Sequence, residues 1–302
     1  MNSIFDDIKG TFQRRDDALK QLILINVIVF VALIILKTVL YLAGGLDYYY
    51  MLMNYIALPS NPLVLLTRPW TLISYFFTHE GFLHIIFNML NLYWFGMLVR
   101  EYLGDKKLVS LYFLGGLAGG VLYLLFYNFI PVYANRAADS VMIGASASVL
   151  AVIVAAATLL PNYSFNLILL GPVRIKYIAA FLVLISISGM AGGNAGGNIA
   201  HIGGAVLGFI FIKQLQRGND LGKPIHAIGG FFKRIFQKRP KMKVTTFHTG
   251  AKRTTYTASK TSGFGKPSQA EIDLILDKIS QSGYESLSKE EKQKLFQASQ
   301  KE

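Results

Sequence analysis

Apolar residues fall into six long runs separated by short polar or glycine-rich stretches. The runs are Gln21 to Ala43, Gly81 to Leu98, Leu108 to Ile130, Ser146 to Leu160, Tyr177 to Met190 and Ala200 to Ile212. Runs of this length and apolarity predict membrane helices rather than core strands. The fourth is short for the task. Ala147 to Leu160 is fourteen residues, about 21 Å at a rise of about 1.5 Å per residue, against a hydrocarbon core of about 30 Å. If this run ends near one face at Pro161-Asn162, its first residue, Ser146, lies inside the membrane profile. A hydroxyl and irregular backbone are tolerated there only against protein or a water-filled cavity. Residues 44–70 form a long loop whose tyrosines, prolines and Trp70 suit the membrane interface. The predicted fold class is all-α: a polytopic six-transmembrane-helix bundle over residues 21–217, after a polar N-terminal stretch at 1–20.

Beyond residue 217 the pattern changes. Phe231-Phe232-Lys233-Arg234-Ile235-Phe236-Gln237-Lys238-Arg239 is basic and aromatic, and its apolar positions recur at helical spacing. It is expected to lie on the inner leaflet, against anionic lipid. Together with the Thr/Ser/Lys/Gly-rich stretch at 240–267 it makes a linker region, 218–267. Residues 268–302 predict a small cytoplasmic helical hairpin. Ser268-Gln269-Ala270-Glu271 opens one helix as a capping box, with Ile272, Ile275, Leu276 and Ile279 on its apolar face. Gly283 ends it, and Ser288-Lys289-Glu290-Glu291 opens a second helix, with Leu295 and Phe296 apolar. So small a hairpin is marginal alone and is expected to dock on a partner that the sequence does not identify.

Composition narrows the function. The chain is 53% hydrophobic and has no cysteine, which excludes disulfides and thiolate metal sites. No metal or other cofactor is expected. A net charge of +13 raises the question of nucleic acid. The basic residues sit instead in the tail and in loops on one side, as in a membrane protein, so no nucleic-acid partner is expected. Loops after runs two and four hold Arg100, Lys106, Lys107, Arg174 and Lys176, whereas those after runs one, three and five hold Arg68 and Arg136. That bias places both termini in the cytoplasm and Ser146 near the outer face of the cell's inner membrane. Asp6, Asp7, Asp16 and Asp17 argue against a signal peptide.

Three polar sites interrupt the apolar runs. Ser146 heads the fourth, and His201 sits in the sixth, three residues before Gly204 and seven before Gly208. Those steps share one helix face, which lets another backbone approach closely beside His201. Ala147, Ala151 and Ala155 form a matching stripe on the fourth run. Two small-faced helices in contact bring His201 near Ser146, the minimum for nucleophilic acyl transfer. His84 and Asn88, four apart, align on the second run and could donate to an oxyanion. Each feature also has a plain structural reading: a serine bonded between helices, as for Ser148, or a histidine in an ion pathway. The bare pattern leaves an enzyme, a transporter and a proton pathway open. The absence of an inverted repeat speaks against a transporter.

Gly144-Ala145-Ser146, His201 with Gly204 and Gly208, and His84 with Asn88, in this order, resemble a rhomboid intramembrane serine protease. Pro69-Trp70, Tyr75-Phe76, Thr78 to His84, and Glu101 with Gly104 add to the likeness, which covers about residues 20–215. The resemblance implies a serine endopeptidase with a Ser146–His201 dyad and no third acid. It implies an oxyanion hole from the Ser146 N–H, His84 and Asn88, and cleavage of transmembrane proteins near their outer ends. The hairpin from Ser268 resembles a short domain appended to some bacterial rhomboids. Two positions depart from the family pattern. Ala147 replaces a glycine, which is expected to narrow the space beside the scissile bond. Leu150 replaces an aromatic that packs under the histidine. With Ser146 and His201 present, a catalytically silent relative that only binds membrane proteins is the second reading.

Overall fold

In the computed structural model, the described residues are 10–11, 17–134, 140–167, 171–227, 269–282, 286–288, 290–292 and 294–295. The linker region from residue 228 on, including the basic segment at 231–239, the caps at Ser268 and Gly283, Arg136 and Phe296 lie outside them. The chain divides into two compact units, Met1–Arg239 and Pro240–Glu302.

The first unit is a helical bundle. Helix α1 (Ala18–Leu42) is capped by Asp17, whose carboxylate accepts from the Lys20 N–H and pairs with Arg100 at 2.6 Å. The next segment differs from the expected loop. It folds into α2 (Leu46–Ile56), strand β1 (Leu58–Pro59), α3 (Pro62–Thr67), α4 (Thr71–Ser74) and a 3₁₀ turn at Tyr75–Phe77. The reason is visible locally. Asn61 caps α3 with Pro62 at its first turn, and backbone carbonyls of α2 are taken up by side chains further on. Trp70 Nε1 donates to Tyr55, and Ser74 Oγ donates to Ile56. Irregular backbone beside a membrane is satisfied internally in this way.

Helix α5 (Phe82–Leu103) and α6 (Asp105–Phe129) are joined at Gly104, whose φ of +81° turns the chain sharply. Short helix α7 (Pro131–Ala134) follows. Strand β2 (Val141–Met142) pairs antiparallel with β1, matching Leu58 with Met142. That pair leads directly into α8 (Ser146–Leu159). The predicted return after this helix is a hairpin of β3 (Ser164–Leu167) and β4 (Gly171–Arg174). Then come α9 (Ile175–Gly189) and α10 (Ala195–Gln216), the latter beginning inside the glycine-rich stretch. Among the described residues, α1, α5, α6 and α10 are long and apolar enough to cross a bilayer, while α8 and α9 are apolar but shorter. The molecule is a polytopic, mainly helical membrane bundle.

Packing is closest at the centre. A methyl added to Gly204 or Gly208 of α10 would collide with the carbonyl oxygens of Ala147 and Ala151 on α8. One added to Gly119 of α6 would lie 2.5 Å from the Ala147 Cβ and 2.8 Å from the Ala200 oxygen. Helix α8 is thus wedged between α6 and α10, and ten of its fourteen residues are buried. Asn26 of α1 is fully buried in this apolar setting and donates to the Tyr112 hydroxyl at 2.9 Å, which donates in turn to the Phe76 carbonyl at 2.8 Å.

In the second unit, α11 (Gln269–Ser282) buries Ile275, with Ile272 and Ile279 half-buried. Leu276, expected on that face, is 49% exposed. The stripe is the narrower seam through Ile272, Ile275 and Ile279, at steps of three and four, and Leu276 lies beyond its edge. Ser288 and Glu291 make a reciprocal capping box: the Glu291 N–H donates to Ser288 Oγ, and the Ser288 N–H donates to Glu291 Oε2.

Candidate active site

The first turn of α8 is set from outside. Gly144 has φ +121°, a conformation that L side chains rarely adopt, and its N–H donates to the Tyr75 carbonyl at 2.9 Å. A methyl at Gly144 would lie 2.8 Å from His84 Cε1 and 3.8 Å from Ser146 Oγ. Glycine therefore lets the His84 ring close on the segment that carries Ser146. The next residue, Ala145, is fully buried, and its N–H points to His79 Nε2 at 3.4 Å. His79 and His84 meet edge to face, with ring centroids 5.2 Å apart.

Ser146, His201, His84 and Asn88 all line one cavity of about 350 Å³. Its remaining wall is largely apolar, with Val149, Leu150 and Ile153 from α8 and Leu182 and Ile185 from α9. Asn88 is 7% exposed and spends one amide proton on the His84 carbonyl at 2.9 Å, which leaves the other available to a ligand. His84 also lines a second cavity, together with Glu80, Tyr123, Tyr127 and Ser140. The hydrogen bonds among the described residues do not include one between Ser146 and His201. Such bonds are commonly long before substrate is bound.

Gly204 and Gly208 do not line the cavity; they lie behind it, against the α8 backbone. Two readings made from the sequence change here. The Ala147 methyl was expected to narrow the space beside the scissile bond. It is 1% exposed and points at Gly119 of α6, away from the cavity. Ser148 was offered as a hydrogen bond between helices. It is fully buried toward Gly116, and its Oγ has no hydrogen-bond partner among the described residues. Leu150 does line the cavity, where an aliphatic chain gives dispersion but no ring stacking.

Asn91, Asn194, Asn198 and Ser186 also line the cavity, and the sequence reading singled out none of them. Ser186 of α9 is 3% exposed, and its Oγ lies 3.0 Å from His201 Nδ1 and donates to the Leu182 carbonyl at 2.9 Å. Nothing in Ile185-Ser186-Ile187-Ser188 marks the first serine over the second.

The fold and the cavity together define a helical membrane protein with a serine and a histidine lining one cavity. A model of the Rhomboid domain matches residues 66–217, half of the chain, and the protein belongs to the rhomboid family. Residues 266–301 match a family of unknown function. The chain is 29% identical over 160 residues to RHOMBOID-like protein 12, mitochondrial, of Arabidopsis thaliana, covering 50% of this chain and 48% of that one. It is 29% identical over 156 residues to Presenilin-associated rhomboid-like protein A, mitochondrial, of Danio rerio, covering 51% and 39%. It is also 32% identical over 87 residues to Inactive RHOMBOID-like protein 8 of Arabidopsis thaliana, covering 29% and 23%. The chain spans about half or less of the length of these relatives.

Proposed function

We propose that this protein is an intramembrane serine endopeptidase that cleaves transmembrane proteins near their outer ends. The observation that carries the reading is the shared cavity of Ser146, His201, His84 and Asn88. In this reading His201 takes the Ser146 proton as Oγ attacks the scissile carbonyl. The Ser146 N–H, at the start of α8, His84 and Asn88 then hold the oxyanion. The N–H is free for that task because the first-turn amides of a helix have no partner within it. No step requires a metal or cofactor. Both termini face the cytoplasm in this proposal, and the protein resides in the cell's inner membrane. Anionic lipid contacts the basic segment at 231–239, and the C-terminal hairpin serves location or partner choice rather than chemistry.

The test is reconstitution with a panel of single-span proteins, scored for cleavage that Ser146→Ala removes. Topology is tested separately. The cysteine-free chain allows single cysteines at 131–145, which should react with an impermeant maleimide in intact cells, whereas cysteines in the tail should not.

A second reading is a silent rhomboid that binds membrane proteins without cutting them. The name of one relative favours it. A fluorophosphonate that fails to label the folded protein would support it over the first.

A further inference from the structure

His201 has a polar partner on a different helix from Ser146. Ser186 Oγ of α9 lies 3.0 Å from His201 Nδ1 and, at 2.9 Å, donates to the carbonyl of Leu182, four residues earlier on its own helix. A hydroxyl has one proton and can accept two bonds, whereas a carbonyl oxygen can only accept. Both contacts are hydrogen bonds only if the proton of Ser186 goes to Leu182 and Nδ1–H donates to Ser186. The opposite arrangement gives up the Leu182 bond, one of the two hydrogen bonds available to a hydroxyl that is 3% exposed. We infer that Ser186 is a positioning residue that holds His201 as the Nδ1–H tautomer, leaving Nε2 as the basic nitrogen for the Ser146 hydroxyl.

The consequence rests on the Ser146–His201 reading above. With Nδ1 protonated, Nε2 carries the lone pair that can take a proton. In the other tautomer Nε2 is a donor and cannot act as base. When the Ser146 proton moves to Nε2, the Nδ1–H···Oγ bond becomes charge-assisted and strengthens. Ser186 thus takes, with a neutral hydroxyl, the orienting part that a carboxylate plays in serine triads. Leu150 offers the ring no stacking partner from α8, so fixing its orientation falls more heavily on this bond. A serine mid-helix commonly bonds back to the preceding turn for local satisfaction alone. That structural role predicts no effect on His201, which makes the two separable.

The experiment uses the full chain in lipid bilayers. Spectra of ¹⁵N-histidine-labelled protein, at a pH where the ring is neutral, report the His201 tautomer, assigned by the signal lost in His201→Gln. Labelling of Ser146 by a fluorophosphonate reports reactivity. The wild type should show Nδ1–H. Ser186→Ala should redistribute the tautomers and slow labelling about ten- to a hundredfold, the scale of one hydrogen bond to a charged group. Ser186→Thr, which keeps the hydroxyl, should restore both and guards against loss by misfolding. A wild type found as Nε2–H, or a Ser186→Ala protein with unchanged tautomer and labelling rate, overturns the inference. A folded wild type inert to the fluorophosphonate overturns the protease reading on which its catalytic meaning rests, whereas the tautomer is read without any activity.

Discussion

The helix that carries the candidate base and the helix beside it are held in opposite ways. Helix α10 meets α8 backbone to backbone, with Gly204 and Gly208 pressed on the Ala147 and Ala151 carbonyls. Helix α9 buries only Ile175, Ala179 and Ser186, while Phe181, Leu184, Ile185 and Ile187 are more than half exposed on its surface. Close approach without side chains gives strong dispersion and no rotamer freedom, the usual means of fixing helices in a membrane. Ser146 and His201 therefore stand on the closely packed pair, α8 and α10. Part of the cavity's apolar wall, Leu182 and Ile185, stands on the less buried α9, and Ser186 reaches across from it. In the proposed protease this puts precision at the reacting atoms and adaptability where a substrate has to fit.

This contrast can be broken at its strong side first. Replacing Ser146 or His201 by Ala should bring cleavage to background, because the covalent route is gone. Ser148→Ala, about 200° away around the helix, should cleave normally. A packing change comes next. Gly204→Val puts a branched side chain into the α8 backbone and should destabilise the bundle by about 3 kcal/mol or more, read as earlier unfolding in detergent. Ile185→Val on α9 should stay within about 0.5 kcal/mol. Equal sensitivity at the two sites would erase the comparison.

His84→Ala and Asn88→Ala each remove one proposed donor to the oxyanion and should slow turnover by about 10²–10³, without reaching background. Wild-type turnover in both folded variants would put the oxyanion hole elsewhere. The smallest effect is expected at Ala147→Gly. Its methyl faces α6, so the change should cost about 1 kcal/mol of stability through lost packing. The set of cleavage sites, read by mass spectrometry of the products, should not change. A shifted cleavage pattern would return Ala147 to the substrate cavity.

How far the sequence carried depended on the kind of interaction. Apolar length located all six helices, and the one that begins at Ser146 is the shortest of them, as its run of residues implied. Helical spacing put Gly204 and Gly208 on one face, and that face does meet α8. Residues 44–70 read as loop in the sequence because their order comes from separate short helices stitched by Trp70, Ser74 and Asn61, with no single period to detect. Asn26 was passed over inside a long apolar run, although an amide there needs a partner, which is Tyr112, 86 positions away. Ala147 and Ser186 show the limit most clearly. Residue type alone did not say which way the methyl points or which of two nearby serines faces the histidine. Both answers depend on how α8 and α9 are rotated in the bundle.

The account stands or falls on whether Ser146 is an activated nucleophile. The direct measurement is treatment of the bilayer-reconstituted protein with a fluorophosphonate, followed by mapping of the modified peptide. The expected result is a single adduct on Ser146, lost in His201→Ala and strongly reduced in His84→Ala and Asn88→Ala. An adduct on Ser148 or on any other serine, or labelling of Ser146 at an equal rate without His201, would contradict it.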